Sequence, residues 1–182
     1  NFDDRNSKLI LCFNEEQTFL EKQKSWQDRL FQTMNGLLRL IEEEDLIVSL
    51  QKSVKLIENF FETPHVNIYQ VNSDSPDLNR IPGDTESDLL PFTLPSTDIR
   101  LDPKTNIWVP GQRVNTELHK IARISNLSYL ATSALGPGKS ATALLVVGKE
   151  SKVPPRNLFS IMEMFSAAIS SNLQYFILVN AL

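Results

Sequence analysis

The side chains best suited to chemistry in this chain are few and widely spaced. There is one cysteine, Cys12, and there are two histidines, His65 and His119. A single thiol cannot build an internal disulfide framework or a cysteine-rich metal site. Neither histidine has a neighbour at metal-ligand spacing, so the sequence predicts no metal and no cofactor. Gly138-Lys139-Ser140 invites a phosphate-loop reading. That motif needs a glycine five positions earlier, where Ser133 stands, and a helix directly after it. A β-branched and apolar strand follows instead, so Gly136-Pro137-Gly138-Lys139-Ser140 is read as a hairpin turn. No nucleophile–base pair or carboxylate pair stands at useful spacing, so the chain is not read as an enzyme. Any catalytic output is expected in a domain outside it.

Bulk properties narrow the class further. The 182 residues are 41% hydrophobic and 22% charged, enough for one cored domain with flanking helices. A net charge of −4 with scattered Lys and Arg argues against a nucleic-acid surface. No apolar run of about 18 residues marks a membrane span, and the first residues do not read as a secretory leader. The chain opens on Asn1, which suggests an excerpt of a longer protein.

The elements that would position a site follow from periodicity. Phe19, Trp26, Leu30, Phe31, Met34, Leu37, Leu38 and Ile41 recur at helical steps and predict a helix over 15–40, weakened at Gly36. Before it, Ser7-Lys8-Leu9-Ile10-Leu11-Cys12-Phe13 reads as a short strand or the tail of an earlier element. A second helix is expected over 43–61, with Leu46, Ile47, Leu50, Val54, Ile57 and Phe61 as its stripe and Pro64 as its stop. His65-Val66-Asn67-Ile68-Tyr69-Gln70-Val71 alternates as a half-buried strand does. Residues 72–105 are rich in Pro and Asp and read as loop, with one edge strand over 89–94. Asn106-Ile107-Trp108-Val109-Pro110-Gly111 is a short strand, and residues 117–126 a short helix. Ser128-Tyr129-Leu130-Ala131-Thr132-Ser133-Ala134-Leu135 and Ala141-Thr142-Ala143-Leu144-Leu145-Val146-Val147-Gly148 form the two strands of a hairpin. The last helix begins near Pro154-Pro155. In it Leu158, Ile161, Phe165, Ala168, Asn172, Tyr175 and Val179 step by three and four, a heptad seam with one polar interruption.

The order of strand, short helix, small-residue strand, hairpin and long closing helix resembles the second half of a GAF domain, a sensory and regulatory fold. With the second helix and the 65–71 strand, the likeness covers residues 45–182. The resemblance implies an α+β fold: an antiparallel sheet of five or six strands, helices mainly on one face, and long terminal helices. It implies a small-molecule cleft on the other face and a homodimer formed through the terminal helices. It further implies a cytoplasmic signal-transduction protein, such as a histidine kinase, whose output domain shares the full-length chain. The expected division is an N-terminal linker or dimerisation segment, 1–42, and a sensory domain, 43–182. Candidate pocket residues are Tyr69, Phe92, Trp108, Arg113, His119 and Tyr129. The 158–179 seam is the candidate dimer interface. Bilin-binding relatives attach their chromophore through a cysteine in the domain, commonly beside a histidine of the short helix, and Leu118-His119-Lys120 has none. The free methionine sulfoxide reductases of this fold use several cysteines, which one thiol cannot replace. The alternative is a scaffold that dimerises and has lost its ligand.

Overall fold

A computed structural model describes residues 2–71, 75, 77–82, 87–101, 104–136 and 141–180. One helix, α1 (Phe2–Arg39), takes up the whole N-terminal segment. The strand considered over 7–13 is therefore helical. A short apolar run fits either period, and here it is continuous with a strongly periodic helix and finds no strand to pair with. Residues 15–25 are exposed on all sides, whereas Leu37 is fully buried. Gly36 does not break α1. A Cβ there would stand 2.9 Å from Leu56 Cδ1, so any side chain at this position would have to displace the end of Leu56 in the next helix.

A 3₁₀ turn (Leu40–Glu42) leads to α2 (Leu46–Phe61). Asp45 caps α2 by accepting the N–H groups of Ile47, at 2.7 Å, and Val48, at 3.3 Å. Glu62 ends it in the left-handed conformation, φ 53°. Lys149 then reaches across and donates to the carbonyls of Phe61 and Glu62. Those are among the last carbonyls of α2, which have no partner within the helix.

Six antiparallel strands follow in the spatial order β3-β2-β1-β6-β5-β4. They are β1 (Val66–Val71), β2 (Asp77–Arg80), β3 (Thr93–Pro95), β4 (Thr105–Trp108), β5 (Tyr129–Leu135) and β6 (Ala143–Lys149). The edge strand expected over 89–94 is only the three residues of β3, and β2 was not anticipated. Asp77-Leu78-Asn79-Arg80 has weak strand propensity and is held by its pairing with β1, for example Gln70 opposite Asn79. The 137–140 turn lies outside the described residues.

Strand alternation divides the interior in two. Val66, Ile68, Tyr129, Ala131, Leu145 and Val147 face a helix layer made of α2, α5 (Leu158–Asn180) and the end of α1. Tyr69, Leu78, Trp108, Leu130, Leu144 and Val146 face the other way. On that second face lie a segment running from Ser87, α3 (Thr97–Leu101) and α4 (Glu117–Ile124). Residues 65–69 are thus buried on both faces rather than half-buried, while Val71 is half exposed.

The heptad seam of α5 is corrected by this packing. Leu158, Ile161, Phe165, Ala168 and Asn172 are at most 4% exposed inside the chain's own core. Phe165 meets Phe60 edge-on, with ring centroids 5.2 Å apart. A seam already spent on the sheet and α2 is not free for a second copy. Tyr175 and Val179 do remain exposed.

Candidate functional site

The face opposite the helix layer carries a row of polar side chains across its centre. Asn67 of β1 pairs with Val146 of β6, Val146 with Thr132 of β5, and Thr132 with Asn106 of β4. Strands stand about 4.8 Å apart, so the row spans about 14 Å. Asn67 is 1% exposed and Thr132 3%. Asn106 Nδ2 lies 3.5 Å from His119 Nε2, which extends the row onto α4. Thr132 Oγ1 is buried and finds no hydrogen-bond partner among the described residues. A buried hydroxyl without a partner costs about 1–3 kcal/mol.

Local structure fixes His119. Thr116 caps α4 by accepting the His119 N–H at 3.1 Å. Asn115 N–H donates to His119 Nδ1 at 3.4 Å, and the imidazole stacks on Trp108 with centroids 6.1 Å apart. Asp98 of α3, 3% exposed, accepts the N–H groups of Glu117 and Leu118 at 3.4 and 3.2 Å. Burial pushes its carboxyl above the ordinary value, and the N–H of Leu118 and then of Glu117 oppose that shift.

The six expected pocket residues are distributed over three places. Tyr69, Trp108 and His119 come together on the polar-row face. Tyr69 is fully buried and its hydroxyl donates to the Pro91 carbonyl at 2.7 Å. Desolvation raises its pKa well above that of a free phenol. Phe92 is 74% exposed at the rim, under the Arg80 guanidinium at 4.2 Å from its centroid. Arg113 is also exposed, and its carbonyl accepts from Trp108 Nε1. Tyr129 is corrected: one step along β5 from Leu130, it points into the helix layer, where burial pushes its phenol up to about 12. The sequence reading missed Asn67, Asn106, Thr132 and Asp98. The signal available for the first three was a polar residue at alternate positions of strands whose other residues are apolar or small.

Among the described residues no three of His, Cys, Asp and Glu gather as a metal would require. No helix among them is long and apolar enough to cross a membrane.

No family model matches the chain. No curated protein matches it either. Solved structures do match. Free methionine-R-sulfoxide reductase from Neisseria meningitidis, solved with its substrate, is 13% identical with a TM-score of 0.67, over 85% of this chain and 91% of that one. The phycoerythrobilin-bound GAF domain of a cyanobacterial phytochrome is 14% identical with a TM-score of 0.64, over 81% and 98%. The chromophore-binding domain of a bacteriophytochrome from R. palustris is 10% identical with a TM-score of 0.67, over 85% and 63%. The chain has a GAF-like α+β fold.

Proposed function

We propose that this chain is a regulatory sensor domain that binds a small, uncharged polar molecule on the Asn67–Thr132–Asn106 row. The observation that carries this reading is the partnerless hydroxyl of Thr132, buried between amide side chains on the face opposite the helix layer. A buried polar group without a partner calls for an explanation, and a bound ligand supplies one. Among the described residues, the buried carboxylates and lysine are Glu58, Asp98 and Lys149, and Asp98 is the one on this face. Among the described residues no buried lysine or arginine lies on this face, which favours a neutral ligand over an acidic one. Several of the structural neighbours hold bilins. Here the one cysteine belongs to α1, on the far side of the exposed 15–25 stretch, and a covalent bilin is not part of the proposal.

The signal would pass through the terminal helices of a homodimer to an output domain in the same full-length chain, in a cytoplasmic signalling protein. Residues 2–25 of α1 reach about 35 Å at helical rise. Leu20, Phe31 and Leu38 recur on one line of α1 and are 62%, 67% and 51% exposed, and Leu178 and Val179 of α5 are 59% and 49% exposed. A helix with that apolar line uncovered gains stability from a partner, and a second copy provides one.

A specific observation also favours the scaffold reading. Tyr69, Leu90, Leu94, Leu118, Leu130 and Leu144, all on the row's face, are at most 3% exposed, so the chain itself packs much of that side. Native mass spectrometry of the purified chain separates the two readings. A dimer carrying a non-covalent small molecule that Thr132→Val loses supports the sensor. A bare dimer that also binds nothing in calorimetry against neutral metabolites supports the scaffold.

A further inference from the structure

The row is buried, so a ligand can reach it only if something moves. Residues 87–98 cross the face as a strap. Its one strand, β3, is a sheet edge that pairs with β2 alone, through Leu78 opposite Leu94 and its neighbours. It can therefore lift without opening the central ladder of β1, β6 and β5. Side chains of the body hold its backbone. Arg80 Nη1 donates to the carbonyls of Ser87, at 3.4 Å, and Leu90, at 3.3 Å, while its guanidinium covers Phe92. Tyr69 donates to Pro91 O, and His65 Nδ1 lies 2.9 Å from Ser87 Oγ. At the far end Asp98 joins the strap to the first N–H groups of α4. Lifting the strap breaks these polar bonds and uncovers Leu90 and Leu94, which are 3% and 1% exposed, and it leaves the central ladder intact, so it costs less than global unfolding.

We infer that residues 87–98 form a gate over the polar row, latched by Arg80 and Tyr69, and that the row is reached when this strap lifts while the rest of the fold stays closed. The inference deepens the sensor reading by giving its site a gate, and its test needs no ligand. In a Cys12→Ser background the chain has no thiol, so a single introduced cysteine reports its own exposure. Thr132→Cys places one on the gated face. Ala131→Cys places one on the helix-layer face of the same strand. The rate of reaction with dithiobis(nitrobenzoate) is then compared with and without Arg80→Ala. Loss of the latch is expected to speed labelling at Thr132→Cys about tenfold, the scale of its two hydrogen bonds, and to leave Ala131→Cys unchanged. Equal acceleration at both positions would mean global unfolding and would overturn the gate, as would no acceleration at Thr132→Cys. Should Arg80→Ala fail to fold, Tyr69→Phe removes one latch hydroxyl and is expected to give a smaller, equally face-selective increase. A failure here leaves the ligand itself to be decided by mass spectrometry and calorimetry.

Discussion

The Asn172 side-chain amide donates a 2.9 Å hydrogen bond to the Leu37 carbonyl, tying the middle of α5 to the last turn of α1. Further back, Trp26 packs on Phe60 at 5.8 Å and Phe60 on Phe165 at 5.2 Å. From 26 to 37 and from 165 to 172 the two helices therefore advance in the same direction. The free start of α1 and the end of α5 leave the domain at opposite poles, an arrangement suited to passing a shift from one end to the other.

Breaking that bond strands a buried carbonyl where regular helical pairing runs out. Asn172→Leu, close in volume, is expected to cost about 1–3 kcal/mol. A lower urea midpoint with an unchanged slope checks it.

Surface and core positions on the terminal helices should separate folding from association. Phe31→Asp and Leu178→Asp, at exposed sites, are expected to keep the thermal midpoint and weaken the dimer in sedimentation velocity. Ile161→Asp buries an unpaired carboxylate at a 1% exposed site and is expected to unfold the domain. A monomeric parent protein at high concentration would remove the dimer from the proposal.

Thr132→Val keeps the shape of the side chain and removes the partnerless hydroxyl. The empty domain is expected to gain about 1 kcal/mol, read as a higher melting temperature. Stability gained together with ligand lost is the pattern of a functional group. A destabilised variant would mean that the hydroxyl has a partner.

The carboxyl of Asp98 titrates above its ordinary value of 3.8 because burial disfavours its charge. The folded state then holds the proton more tightly than the unfolded chain. Its contribution makes stability fall as pH rises from 3.8 through the raised value. Asp98→Asn should remove that slope, and above the raised value the parent and the variant should differ in stability by a constant. Urea titrations across that range measure the difference.

Lys149 closes the end of α2 from β6, and burial lowers its pKa. Lys149→Met keeps the stem and loses the ammonium. It is expected to cost about 1.5–3 kcal/mol, the range for hydrogen bonds to a charged donor. Chemical denaturation checks the value.

Elements with a strong period were legible from residues alone. The α2 stripe, the closing hairpin strands and the long last helix all repeat apolar residues at their own spacing, and such repeats report backbone geometry directly. Asn172 stood out as the one polar residue in its seam, although its bond to Leu37 did not. The strap was not legible. Asp77-Leu78-Asn79-Arg80 becomes strand by pairing with β1, and at Leu90 and Pro91 the backbone carbonyls go to the side chains of Arg80 and Tyr69.

The sequence by itself determined an alternation of helices and short strands whose order resembles a GAF domain, a single thiol, and helices with an apolar stripe at both ends. These follow from composition and from local repeats within one segment. Tertiary structure decided which face each residue serves. A seam that suited a partner helix was spent on the chain's own sheet, and Tyr129 went to the opposite side from Tyr69. Asn67, Thr132 and Asn106, up to 65 positions apart, came into line across the sheet. Strand register places residues by their cross-strand partners, and distant segments choose those partners only when they bury their surfaces together.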